Sequence, residues 1–162
     1  MVTVFNELKN TNQDSLNKYC PKKGRLLGID VGTKRIGLAL CDETHLIASP
    51  KLILHRQGNL KDFAKIKDFI EENKVVGIVI GLPIQMDDSE IPMTIFSQNF
   101  AESLDNFLEQ KLPIFFFDER LTSFEARDLA LSKLSRRNNK IRDKFVDDIA
   151  ASLILQGFID SL

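Results

Sequence analysis

Three acidic residues stand where a folded chain has least reason to put charge. Asp30 lies inside RLLGIDVG, Glu119 follows Asp118 at the end of PIFFFDER, and Asp147 begins DDIAASLIL. Each belongs to a segment whose other residues are apolar enough to be core. Buried carboxylates are costly without partners, and several together repel unless protonated or neutralised. A divalent cation resolves that repulsion. Oxygen-only ligands, with no Cys or suitably spaced His beside them, favour Mg²⁺ or Mn²⁺ over zinc. Two such ions about 4 Å apart activate a water and stabilise the leaving oxygen of a phosphodiester. The competing reading is separate ion pairs, Asp30 with Lys34 or Arg35 and Glu119 with Arg120. Ion pairs account for any one acid; a shared cation accounts for all three.

Such a site requires elements that aim the acids at one place. In RLLGIDVG, Leu27, Ile29 and Val31 take one face of a strand and Leu26, Gly28 and Asp30 the other. Residues 32 to 35 make a turn, and IGLALCD returns as the second strand of a hairpin. Residues 46 to 55 add a third strand, with Pro50 at its entry or edge. After Gly58 the period changes, and Leu60, Phe63, Ala64, Ile66, Lys67 and Ile70 suit one amphipathic helix. VVGIVIGLP reads as a strand buried on both faces. A second helix over 92–110 carries Ile95, Phe96, Phe100, Leu104, Phe107 and Leu108, and IFFFD forms a fifth strand.

Thr122 and Glu125 form a capping box that starts another helix. A last helix is expected over about 146–159. There Asp147 shares a stripe with Ala150, Ala151, Ile154 and Phe158, and the two alanines permit close approach to the sheet. Asp148, turned about 100° away, reads as a helix N-terminal charge favoured by the macrodipole. The order β-β-β-α-β-α-β-α-α predicts an α/β fold, a mixed sheet with helices on both faces. Residues 1–24 are polar, with one short helix at 4–8, and form an extension ahead of a domain over 25–162.

Composition narrows the function classes. At 162 residues, 43% hydrophobic and 28% charged, the chain has material for about one globular core. No apolar run approaches the roughly 20 residues that span a bilayer, and the first residues do not read as a signal peptide. Cys20 and Cys41 sit in no metal-binding spacing, which suggests a reducing, cytoplasmic setting. Net charge is −1, but KLSRRNNKIRDK, residues 133–144, holds six basic residues against one acid. Two readings stand for this segment: a solvated loop, or a loop that contacts phosphates through residues such as Arg136 and Arg137.

Other motifs carry less. The glycines of GIDVGTK do not have Walker A spacing. D-x-G-T resembles the phosphate loop of actin-like and sugar kinases, but those bind nucleotide between two such domains. Gly32 makes the turn and also lets a phosphate approach the backbone. His45 and His55 are expected to face solvent. Asp87, Asp88 and Glu90 read as charges at a helix N-terminus. Twelve phenylalanines with one tyrosine and no tryptophan indicate core filling over an exposed stacking platform.

GIDVGTKRIGLAL, VIGLPIQMDDSE, FFDERLTSFEA and VDDIAASLIL, in this order and spacing, resemble the YqgF/RuvX family. Its bacterial members have a ribonuclease H-like fold and are associated with processing of the 5′ end of pre-16S rRNA and with Holliday-junction resolution. The resemblance runs from about residue 25 to 156. It implies a five-stranded sheet whose first three strands are antiparallel. It also implies that Asp30, Glu119 and Asp147 bind the metal, with Arg120 orienting substrate. Two departures stand out. Gln85 and Asp88 replace Asn and Gly in the polar loop, and Asp88 visits positive φ less freely than glycine. Asp148 follows Asp147 where Ser is usual.

The expectation is therefore a Mg²⁺- or Mn²⁺-dependent phosphodiesterase. Gly32, Lys34, Arg35, Arg120, Arg136 and Arg137 would hold the backbone of ribosomal RNA precursor or branched DNA, on ribosomal particles or free. A monomer or weak homodimer is expected, with no membrane partner. Asp118 and Asp148 are open as further ligands. The alternative is a nucleic-acid or ribosome-assembly binder that does not cut.

Overall fold

Arg25–Val31 forms β1, and its alternation divides the molecule. A computed structural model describes residues 18–83, 92–119 and 139–162, the first ten of the last stretch as helix backbone only. β2 (Arg35–Cys41) and β3 (Ala48–His55) follow antiparallel. Next come α1 (Asn59–Asn73), β4 (Val75–Leu82), α2 (Pro92–Phe107) and β5 (Ile114–Asp118), and α3 (Asn139–Asp160) closes the chain. The sheet order is β3-β2-β1-β4-β5, with β4 parallel to both β1 and β5. The mixed α/β sheet and its antiparallel first three strands are as expected. Pro50 lies on the edge strand, paired with Ala39 beside a register shift in β2, where a missing N–H is tolerated.

Each face of the sheet has its own core. Leu27, Ile29 and Val31 of β1 join Ile36, Leu38, Ile78, Ile80 and Ile114 under α1 and α2. Leu26, Ala39, Cys41, Val79, Phe115 and Phe117 pack on the other side against Ala151, Ile154, Leu155 and Phe158 of α3. Burial of each leucine, isoleucine, valine or phenylalanine among them stabilises the fold by roughly 1.5–3 kcal/mol. The period of two therefore sends alternate residues of one strand to different helices.

α3 touches all five strands and comes very close to two of them. A Cβ on Gly28 would meet the Ala151 carbonyl oxygen at 2.8 Å, and one on Gly157 would meet the Phe117 ring at 2.7 Å. The alanine expectation thus holds for Ala151, which is fully buried, whereas Ala150 is half-buried. Gln156 ties the helix to the hairpin, accepting from Ala48 N at 2.9 Å and donating to the Leu46 carbonyl at 3.2 Å.

Several expectations change. α3 starts at Asn139, so part of the basic segment is helix and not loop. No Gly or Pro interrupts residues 133 to 156, and lysine and arginine are good helix formers. Asp147 is consequently inside the helix, not at its opening. Asp148 is nine residues beyond the first helical position, where a macrodipole effect confined to the first turn has faded. In α1 the buried side is Asp62, Phe63, Ile66 and Ile70, while Leu60 and Ala64 face water. Asp62 is anchored inward, and Leu60, about 200° away on the helix, is turned out. Ile95 is likewise exposed on α2. Cys20, read as part of a polar tail, is buried beside the α3 face. His45 is half-buried and hydrogen-bonds the Gly24 carbonyl at 2.8 Å. The helix at 4–8, the capping box at Thr122 and Glu125, and the loop bearing Gln85, Asp87, Asp88 and Glu90 lie outside the described residues.

Candidate active site

Asp30 follows Gly28 by two residues and so points to the α3 side of the sheet. It is half-buried between buried Ile29 and Val31. Its neighbours across the sheet carry no side chains. On β2 it pairs directly with Gly37. On β4, the ladder runs through Ile29 and Ile80, so Gly81 stands at the next rung. The main chain at Gly37 and Gly81 therefore leaves an opening in the layer of Cβ atoms beside Asp30.

Glu119 enters that opening from β5. The strand ends at Asp118, and the pleat puts Phe115, Phe117 and then Glu119 toward α3. A Cβ on Gly81 would lie 2.6 Å from Glu119 Oε1 and 2.5 Å from Ile154 Cδ1. The carboxylate thus occupies space that any other residue at 81 would fill. Asp30 and Glu119 thus belong to the strands on either side of β4, with Gly81 between them. Asp118 follows Ile114 and Phe116, whose side packs under α1 and α2, so the pleat directs it to the opposite face. The aromatic run that precedes the two acids is what separates them.

Asp147 belongs to α3, seven residues before Ile154, or about 10.5 Å along the axis. It shares helical spacing with Ala151, Ile154 and Phe158. Asp148 shares the same spacings with Ser152, Leu155 and Ile159, which are also buried. The buried face of α3 is wider than the expected stripe, so periodicity does not separate the two aspartates. Among the described residues, no three His, Cys, Asp or Glu side chains group together; the side chains of Asp147 and Asp148 lie outside that description.

The donor chemistry fits a hard divalent cation. Two carboxylates brought together on that face would favour a positive charge between them. Oxygen donors alone match Mg²⁺ or Mn²⁺. The cationic residues are placed less completely. Gly32 N donates to the Arg35 carbonyl at 2.9 Å, which closes the β1–β2 turn, and Lys34 on that turn is exposed. Arg35 is half-buried at the start of β2. Arg120, Arg136 and Arg137 lie outside the described residues.

Two groups went unnoticed in the sequence. Gly81 shapes the opening for Glu119, a role that the pattern of an apolar strand conceals. Arg56 and Asp62 form an ion pair at 3.2 Å between the end of β3 and the first turn of α1. An arginine directly after an apolar strand, with an acid six residues on in a helix start, was the available signal.

A family profile described as "RuvX: Holliday junction resolvase" matches residues 24–161. A Zymomonas mobilis protein named "Putative pre-16S rRNA nuclease" is 44% identical over 142 residues, covering 87% of this chain and 83% of its own. A Cereibacter sphaeroides protein of the same name is 41% identical, covering 88% of this chain and 86% of its own. Among solved structures, Thermus thermophilus RuvC in complex with a Holliday junction substrate superposes with a TM-score of 0.53 at 10% identity, over 83% of this chain and 92% of that one. The large terminase nuclease of the thermophilic phage G20c gives 0.50 at 15% identity, over 85% of this chain and 83% of that one. These structural likenesses concern the fold. No helix among the described residues is long and apolar enough to cross a membrane.

Proposed function

The chain belongs to the RuvX family, and on that footing we propose that it is a Mg²⁺- or Mn²⁺-dependent nuclease that processes the 5′ end of pre-16S rRNA. The observation that carries the reading is the Glu119 carboxylate lying over Gly81 on the face that bears Asp30. The names of the similar bacterial proteins supply the substrate.

In this reading Asp30, Glu119 and Asp147 hold the cations. When bound, such ions would supply Lewis acidity and a nucleophilic water for phosphodiester hydrolysis. The chain's own share is geometry: β1 and β5 put Asp30 and Glu119 on one sheet face, and α3 would bring Asp147 to them. Lys34 on the exposed turn meets a substrate phosphate, with Gly32, Arg35, Arg120, Arg136 and Arg137 as further backbone contacts. Their affinity would fall with salt as counterions are released. Residues 25–162 form the nuclease domain and 1–24 an extension. The protein works in the cytoplasm, where buried free thiols persist, on ribosomal particles or free precursor, as a monomer or weak homodimer.

The test is cleavage of a pre-16S rRNA fragment with Mg²⁺ or Mn²⁺ by wild type and by Asp30→Asn. The variant should bind the RNA and lose cleavage by more than the roughly 10- to 100-fold that second-shell changes cost. Wild type that binds but never cuts would leave a binder of ribosomal precursors. A second reading, branched DNA as substrate, is favoured by the description of the matching family profile. A four-way DNA junction in the same assay separates the two: faster cleavage of the junction than of the precursor decides for DNA.

A further inference from the structure

The turn between β1 and β2 is held from below by one arginine. Arg56 follows directly on β3 and donates from Nε to Asp62 Oδ2 at 3.2 Å, from Nη1 to the Gly32 carbonyl at 3.3 Å, and from Nη2 to Asn59 Oδ1 at 2.6 Å. Its backbone N–H donates to the Lys34 carbonyl at 3.0 Å. The guanidinium lies 5.2 Å from the Phe96 ring centre and 5.5 Å from that of Phe100. Asp62 is wholly buried, and its second oxygen accepts from Gln57 N at 3.0 Å; the Arg56 side chain is 13% exposed.

A buried pair of this kind is poorly explained by stability. Desolvation of both charges offsets most of their attraction, and apolar residues of similar size often serve as well. What an apolar pair cannot do is bond several backbone and side-chain oxygens at fixed angles, which a planar guanidinium does. Here that fork joins the turn to α1, while the ring contacts join it to α2. Gly32 is two residues from Asp30, and Lys34 presents its ammonium from the same turn.

We infer that Arg56, locked by Asp62, is a positioning residue: it fixes the turn at Gly32, Thr33 and Lys34 so that Lys34 meets a substrate phosphate beside the carboxylates. The phosphate half rests on the nuclease reading; the fixing of the turn does not.

Arg56→Gln, Lys34→Gln and the double variant test both halves. By amide hydrogen exchange on the metal-free protein, Arg56→Gln should loosen Thr33, Lys34 and Arg35 while the amides of β4 keep their protection. Arg56→Lys keeps the charge but loses the fork, so it should restore the melting temperature more fully than it restores the turn. A folded Arg56→Gln protein whose turn exchanges as in wild type overturns the inference.

Binding is read separately, in EDTA, with a fluorescent pre-16S rRNA fragment. Lys34→Gln should weaken binding about ten-fold and reduce the salt slope by about one contact. Arg56→Gln should do nearly the same, and the double variant should be little worse than either, since the two act through one contact. Strictly additive losses overturn the coupling. Unchanged binding by Lys34→Gln, with a loosened turn in Arg56→Gln, refutes the phosphate contact and not the positioning.

Discussion

Glu119 Oε1 stands 2.6 Å from where a Cβ on Gly81 would sit, so the acid at the end of β5 fills a space that β4 leaves empty. Both groups that a new methyl would strike, the carboxylate and Ile154 Cδ1, are far ends of side chains and can give way. Gly81→Ala should therefore fold, at a cost of about 1–3 kcal/mol. It should lose cleavage and Mn²⁺ affinity far beyond what that cost explains. Chemical unfolding, calorimetric Mn²⁺ titration and turnover on one preparation check this. Full activity in Gly81→Ala would show that the carboxylate's place does not matter.

The two aspartates of α3 make a second test. Asp147 and Asp148 each stand four, seven and eleven residues ahead of buried positions, so the helix backbone treats them alike. The nuclease reading does not: Asp147→Asn should abolish metal-dependent cleavage, and Asp148→Asn should retain most of it. Loss in Asp148→Asn alone would exchange their roles. Loss in both would make the site a four-carboxylate one.

Asp42 gives a pH dependence whose sign is fixed. Its carboxylate accepts from the Thr44 hydroxyl, from Ile47 N at 2.7 Å, from Leu46 N at 2.8 Å and from Thr44 N at 3.0 Å. Led by the Thr44 hydroxyl, these bonds hold its pKa well below the ordinary 3.8. A depressed carboxylate pKa contributes stability above the unfolded value, and that contribution disappears as pH falls through the folded one. The melting temperature of Asp42→Asn should therefore lie below wild type near neutrality. The two curves should converge in strong acid. A gap that widens as pH falls would contradict the hydrogen-bond account.

The thiols behave oppositely. Burial, and secondarily the neighbouring Cys41, push Cys20 up to about 11, and burial raises Cys41 as well. A two-unit rise leaves roughly a hundred-fold less thiolate. Iodoacetamide near pH 8 should label both cysteines slowly in the folded protein and rapidly in urea. Because the folded state favours the neutral thiol, their contribution to stability is present below pH 9 and declines above it. Rapid labelling of the native chain would mean that Cys20 is not held in the core.

What the sequence disclosed follows from how local the signal was. Alternation in RLLGIDVG assigned Asp30 to a face because a strand's pleat depends on nothing distant. The same pleat separates Asp118 from Glu119. The start of α3 escaped because its first turns carry charge and no apolar stripe, and a helix that lacks a stripe resembles a loop. Arg56 and Asp62 escaped for another reason. An arginine after a strand usually enters water, and it is Asp62 of α1 together with the α2 rings packed over it that turn it inward. Gly81 could not be recognised from its own strand, since the side chain that needs its space comes from β5.

The close contacts of Gly28 with Ala151 and of Gly157 with Phe117 act together as a two-point key. Both notches oppose sliding or rolling of α3 against the sheet, and the height of residue 147 follows by counting back along the helix. One residue inserted between 148 and 151 would leave the keyed part seated. It would lift the upstream half by about 1.5 Å and swing it by about 100°. On the nuclease reading, the position of Asp147 is thus stored as a residue count from the keyed part of α3, and a protein with that count altered should remain folded yet lose metal-dependent cleavage.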